Sequence, residues 1–253
     1  MPVKRVKDGG KIVGTMLRFV RNPGIAYIAK NAGLDFIMLD MEHGSYTMET
    51  LADACKVARG IDLGCFVRVP ELARGYVSRA LDCGATGVMV PMVESVAEAK
   101  SLAGWTKYAP VGNRGLGSSA GHTNFGGLGM PAPDFMARAN QDTLTIAQIE
   151  TKAAIEVIDQ IAAVEGIDVL FIGPNDLSIS LGYPGELSHP EVSKAIAKVA
   201  KAAAANKKIF GMHAGDALLE KWLPSGLTLI MNLHDINILT AGMTAIGKKY
   251  KPS

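Results

Sequence analysis

The chain has 253 residues, 48% of them apolar, and a formal net charge of +2. That is enough apolar material for one large core, and scattered basic residues with no aromatic-interleaved stripe exclude a nucleic-acid-binding surface. No stretch approaches the roughly 18 continuous apolar residues of a membrane span, and residues 1–10 lack the apolar run of a secretory leader, so the expectation is a soluble, cytoplasmic protein.

In chain order, short apolar runs at 12–19, 36–40, 65–69, 87–92, 144–149, 169–172, 208–212 and 228–232 predict strands. Amphipathic stretches at 25–31, 48–59, 76–82, 96–107, 153–162, 191–205, 216–223 and 236–248 predict helices between and after them. Eight strand–helix units in alternation point to an α/β fold, a closed (β/α)8 TIM barrel forming a single domain over 1–253; an open doubly wound sheet is the alternative. One glycine-rich connection, from Ala109 to about Asp142, interrupts the rhythm before strand five, as a functional loop or as chain packed outside the barrel. The basic clusters Lys4-Arg5-Lys7 and Lys248-Lys249-Lys251 read as solvated ends. Cys55, Cys65 and Cys83 form no CxxC pair and read as buried, reduced thiols.

In a barrel of this kind, chemistry collects where strands end. Here those ends carry Asp40-Met41-Glu42-His43, Arg68, Gln148 and Glu150, Gly173-Pro174-Asn175-Asp176, His213, and then Asn232, His234 and Asp235. Glu150 and Asp176 close consecutive apolar strands, where a charge is costly without a cation beside it. Two such carboxylates suit a hard divalent ion, Mg²⁺ or Mn²⁺, and leave coordination positions for water and substrate oxygens. The other possibility for the pair is a set of mouth acids satisfied by Arg68 and helix N-termini. Asp40 and His43, three residues apart, suggest a carboxylate that fixes an imidazole as general base. Arg68 cannot lose its charge and must face carboxylates or a developing oxyanion; its structural alternative is an ion pair with Asp40 or Asp82. No strand ends in lysine, so a Schiff-base mechanism has no placed nucleophile.

The motifs Leu39-Asp40-Met41-Glu42-His43, Phe66-Val67-Arg68-Val69-Pro70, residues 87–93 (GVMVPMV), Gln148-Ile149-Glu150 and residues 173–178 (GPNDLS) follow one another in register over 14–247. The chain thereby resembles the HpcH/HpaI family of class II, metal-dependent pyruvate aldolases, which act on 2-keto-3-deoxy acids and 4-hydroxy-2-oxo acids. The resemblance implies reversible cleavage to pyruvate and an aldehyde, with Glu150 and Asp176 chelating Mg²⁺, Mn²⁺ or Co²⁺. It implies that Arg68 stabilises the enolate oxygen, that His43, oriented by Asp40, moves the proton of the aldol hydroxyl, and that Gln148 contacts the keto acid. It further implies that backbone groups at Gly173, Pro174 and Asn175, together with Ser118 and Ser119 of the long loop, hold carboxylate. Trimers paired into hexamers, with the C-terminal helix packed on a neighbour, belong to the same set. Oxaloacetate decarboxylation, CoA-ester lysis and a non-catalytic keto-acid-binding barrel are the alternatives on this scaffold. Asn175, His213, Leu233 and residues 121–125 depart from the family pattern and bear on the aldehyde.

Overall fold

The computed structural model describes residues 2–251; the outermost ends of the expected 1–253 domain lie outside the described residues. The eight strands are β1 (Ile12–Leu17), β2 (Phe36–Asp40), β3 (Gly64–Arg68), β4 (Gly87–Val90), β5 (Leu144–Ile149), β6 (Val169–Ile172), β7 (Ile209–His213) and β8 (Leu227–His234). They are parallel and close into a barrel in chain order, β8 pairing back onto β1. The expected closed (β/α)8 fold is the one observed, and the open sheet is excluded.

Around the barrel run α1 (Pro2–Lys7), α2 (Ile25–Asn31), α3 (Met48–Gly60), α4 (Arg74–Asp82), α5 (Val96–Thr106), α6 (Ala132–Asp142), α7 (Lys152–Glu156), α8 (Ile158–Ala162), α9 (Pro174–Ser180), α10 (Pro190–Ala205), α11 (Asp216–Trp222) and α12 (Asp235–Tyr250). None of them is long and apolar enough to cross a membrane. The single helix expected at 153–162 breaks at Val157, which leaves helical geometry (φ −110°, ψ 15°) and separates α7 from α8. Three helices were not expected. α6 lies inside the long connection, α9 starts on Pro174 directly after β6, and α1 occupies a segment expected to be solvated. In that segment Arg5 pairs with Asp35 at 2.8 Å and Lys7 with Asp168 at 3.2 Å.

The strands are buried on both faces, so period two decides which residues look into the barrel and which look toward the helices. Phe36, Met38, Phe66, Met89, Ile146, Phe171 and Met231 belong to the inner cluster, and Ile37, Leu39, Val67, Val88, Ala147, Leu170 and Met212 pack under the helices. Val3 and Val6 of α1 join the inner cluster from the strand-start end, which closes the foot of the barrel. A buried ion network completes that closure. Lys107 Nζ donates to Asp168 at 2.6 Å and to the carbonyls of Thr143 and Asn140 at 2.8 and 3.0 Å. Burial holds the Lys107 ammonium down at about 8 despite Asp168.

The connection from α5 to β5 also belongs to the foot. Arg114 donates to Asp82 at 2.7 Å, and Arg59, near the end of α3, donates to the carbonyl of His122 at 3.0 Å and to Asn124 Oδ1 at 3.1 Å. A side chain at Gly121 would collide with the Cys83 carbonyl just past α4, so this loop lies flush against the helix ends. Cys55 and Cys65 are buried free thiols 3.4 Å apart, and Cys83 is half-buried.

Candidate active site

Continuing the inward parity past the last strand bond predicts which polar groups meet at the mouth. From Phe36 and Met38 it reaches Asp40; from Phe66, Arg68; from Leu144 and Ile146, Gln148 and Glu150; from Phe171, Gly173. A cavity of about 100 Å³ opens there, lined by Arg18, His43, Arg68, Gln148, Gly173, Pro174, Asn175, Asp176, His213 and His234 above a floor that includes Met16 and Phe171. The structure therefore brings together most of the expected residues.

Asp40 is fully buried and is the anchor of the site. Its carboxylate accepts from Arg68 Nε at 2.9 Å and Nη2 at 2.6 Å, from Arg18 Nε at 2.6 Å, and from the backbone N–H groups of Glu42 and His43 at 3.1 and 3.3 Å. Burial alone would raise this carboxyl, but the hydrogen bonds and charges of Arg68 and Arg18 overcome it and hold Asp40 at about 2. Arg68 Nη1 also meets Glu42 at 2.8 Å, so its guanidinium is fixed between two carboxylates. The expected orientation of the His43 ring by Asp40 is corrected here. Asp40 takes only the His43 backbone N–H, because its oxygens face the two arginines, and the carboxylate beside the exposed ring is Glu42 at 3.9 Å.

Glu150 is buried just past β5. Its Oε1 accepts the Met92 N–H at 2.9 Å, and its Oε2 accepts from Gln148 Nε2. Burial lifts the Glu150 carboxyl to about 7, and the charges of Asp176 and Glu42 add to the rise. An acid held that high beside two others is a group a cation would relieve. Gln148 Oε1 is buried beside it with no hydrogen-bond partner among the described residues. Asp176 stands exposed in the first turn of α9. Among the described residues no three His, Cys, Asp or Glu side chains group as a metal site. The donor set is thus two carboxylates that need substrate and water to complete a shell, which fits a hard divalent ion and not zinc.

Ser118 and Ser119 do not reach this mouth. They sit in the α5-to-β5 connection, which returns from a helix to a strand start and is tied to the α3 and α4 ends at the foot. Residues 121–125 lie there too, so neither segment contacts an aldehyde in its own barrel. Leu233 is likewise turned out. An irregularity in the β1–β8 register pairs Met16 with His234, Leu233 takes a positive φ of 56°, and His234 faces the cavity instead.

One group was missed from sequence. Arg18 follows β1 as Arg68 ends β3, a guanidinium closing an apolar run, and that shared signal could have found it. Asp235, already singled out at the end of β8, holds the backbone N–H groups of Arg18, Phe19 and Val20 at 3.1, 2.9 and 2.7 Å, a role carrying no local sequence mark.

The family model described as HpcH/HpaI aldolase/citrate lyase matches residues 18–226. The chain belongs to this family. It is 32% identical over 231 residues to a 5-keto-4-deoxy-D-glucarate aldolase of Escherichia fergusonii, covering 91% of this chain and 89% of the relative. It is 31% identical over 250 residues to a hydroxypyruvate/pyruvate aldolase of Roseobacter denitrificans, covering 98% and 96%. The solved HpcH/HpaI aldolase from Desulfitobacterium hafniense DCB-2 superposes with a TM-score of 0.93 at 33% identity, covering 99% of this chain and 96% of that one.

Proposed function

We propose that this protein is a divalent-metal-dependent class II aldolase that reversibly cleaves a 4-hydroxy-2-oxo acid, of the 2-keto-3-deoxy type, to pyruvate and an aldehyde. The observation that carries this reading is one mouth holding a buried acid raised to about 7, a second acid beside it and an arginine locked between Asp40 and Glu42. Relatives named as keto-acid aldolases support it.

Glu150 and Asp176 would hold Mg²⁺ or Mn²⁺, with Co²⁺ as a further candidate; when bound, the ion supplies positive charge where the keto oxygen becomes anionic. Gln148 offers its partnerless Oε1 and its amide to the bound keto acid. The backbone at Gly173, Pro174 and Asn175, leading into α9, borders the place for its carboxylate. Arg68 faces the developing enolate oxygen in a position already fixed, so no reorganisation is needed as charge forms. His43, at the rim, accepts the proton of the C4 hydroxyl directly or through water. The C3–C4 bond then breaks, its electron pair enters the enolate, the aldehyde leaves, and C3 takes a proton from water to give pyruvate. The apolar surface of α12 supports a homo-oligomer, a trimer or hexamer, in which that helix rests on a neighbouring subunit.

The test is deuterium exchange into the pyruvate methyl group, followed by proton NMR on chelator-stripped protein with and without Mg²⁺ or Mn²⁺. Exchange should require the ion and should fall by about 100-fold or more in Glu150→Gln and Asp176→Asn. Metal-independent exchange, or undiminished exchange in either variant, would refute the assignment.

A further inference from the structure

The foot of the barrel holds a second cavity, of about 340 Å³, that shares no lining residue with the mouth. It lies under the starts of β3 and β4, between the ends of α3 and α4, the 114–130 connection and α6, and no residue of α12 forms its wall. Its volume equals roughly eleven liquid waters at about 30 Å³ each, space for a ligand of about ten non-hydrogen atoms. Pockets that hold small molecules start at about 300 Å³ and combine apolar walls with a few fixed polar groups.

Both components are present. Leu63, Leu81, Met130 and Phe135 supply apolar surface, and Arg59 and Arg114 supply charge. Half-buried Arg59 is held in place without being neutralised. Its stem packs on Gly84, where a Cβ would come within 2.9 Å of Arg59 Cδ. Its Nε donates to Asn124 Oδ1 at 3.1 Å and its Nη2 to the His122 carbonyl at 3.0 Å, both uncharged oxygens. Its Nη1 has no acceptor, and no carboxylate pairs with it, among the described residues. Asp142, the acid whose charge acts on it, is paired with Arg138 at 3.3 Å, and Asp62, exposed at the edge, has a partner of its own. Burial accordingly pulls the Arg59 guanidinium below its ordinary range. Buried Arg114 donates Nη2 to Asp82 at 2.7 Å and lies over the Tyr108 ring, while its Nε is buried with no hydrogen-bond partner. An arginine cannot shed its charge by losing a proton, so a bound anion is what offsets the cost of burying one.

We infer that the foot cavity binds a small organic anion, a carboxylate on an apolar body of about ten non-hydrogen atoms in all. The carboxylate takes the open edge of Arg59, and the apolar body lies against Leu63, Leu81, Met130 and Phe135. The site does not depend on the aldolase reading, and because the two cavities share no wall it can be filled while the mouth holds a keto acid.

The test titrates the protein, carrying isotopically methyl-labelled methionine, with benzoate, benzamide and acetate while NMR follows each methyl. Benzamide keeps the shape of benzoate without its charge, and acetate keeps the charge without the ring. Benzoate should bind once per chain and shift the methyl of Met130 at the foot, leaving those of Met16, Met89 and Met231 at the mouth in place. Benzamide and acetate should each bind about tenfold or more weakly. Arg59→Gln should weaken benzoate by about tenfold and leave benzamide unchanged, and Arg59→Lys should recover part of the loss. Ala139→Met fills the cavity from α6 and should abolish the Met130 response to benzoate, which keeps the site testable should the Arg59 variants loosen the connection. Equal affinity for benzoate and benzamide, wild-type benzoate binding in Arg59→Gln, a response confined to the mouth methyls, or no Met130 response at millimolar benzoate would each overturn the site.

Discussion

A side chain at Gly173 would fall well inside contact distance of Glu150 Oε2 and 2.9 Å from Gln148 Nε2. The residue is therefore a steric requirement of the site, independent of any backbone preference. Gly173→Ala should push the Glu150 carboxylate aside and cost about 100-fold in metal-dependent methyl exchange, since a displacement near 1 Å at reacting groups carries that penalty. Overpacking of this kind costs roughly 1–3 kcal/mol, so a thermal melt should still show a folded protein. Wild-type exchange in that variant would contradict the close approach. At this scale much was legible. Asp40, Arg68, Gln148 and Glu150 all lie on the inward parity of strands whose apolar residues already showed the period. The pairing of Asp40 with arginines and not with the His43 ring was hidden, because sequence spacing of three says nothing about which side of a tight turn a ring takes.

At the scale of elements, Asp40 ties the end of β2 to β1 through Arg18 and to β3 through Arg68. Its folded value, about 2, lies below its ordinary 3.8, so its contribution to stability is fully present above pH 3.8 and is lost as pH falls through 2. A carboxyl so held contributes roughly 2 kcal/mol at neutral pH. The stability difference between wild type and Asp40→Asn should therefore shrink as pH is lowered from 4 to 2, measured by denaturant melts at each pH. A difference that stays constant over that window would show that the arginines do not hold the carboxylate. The elements themselves were readable because alternation of apolar runs with amphipathic ones is strong in parallel barrels. The long connection was open between a functional loop and chain packed outside the barrel, and the second is observed: it leaves a helix and enters a strand, so it lies at strand starts, away from the chemistry. Its glycines do not build a substrate loop; Gly121 serves a close approach to the Cys83 carbonyl. The bulge that turns Leu233 out and His234 in adds one residue with no mark in composition, so the parity of β8 could not be carried to its end.

For the whole molecule, α12 is the element that the barrel leaves uncovered. Of its residues only Asp235 is buried, and Ile236, Ile238, Leu239, Met243, Ile246 and Tyr250 are exposed. That apolar surface is the observation behind the proposed homo-oligomer. Light scattering on the eluting protein should give a trimer or hexamer, and the double substitution Leu239→Glu with Met243→Glu should yield smaller species with the barrel intact by circular dichroism. A wild-type monomer would remove the role given to this helix. The helix was legible from its apolar spacing, whereas its lack of a place on its own barrel needed the structure. The opposite end of the molecule has another consequence. Val3 and Val6 stopper the barrel from below, and the Lys107–Asp168 pair seals the seam beside them. Everything that enters must leave by the same opening, so traffic through an aldol site of this shape is sequential. On the proposed reading, pyruvate against buried Gln148 would lie deeper than the aldehyde, so the aldehyde should leave first and pyruvate last.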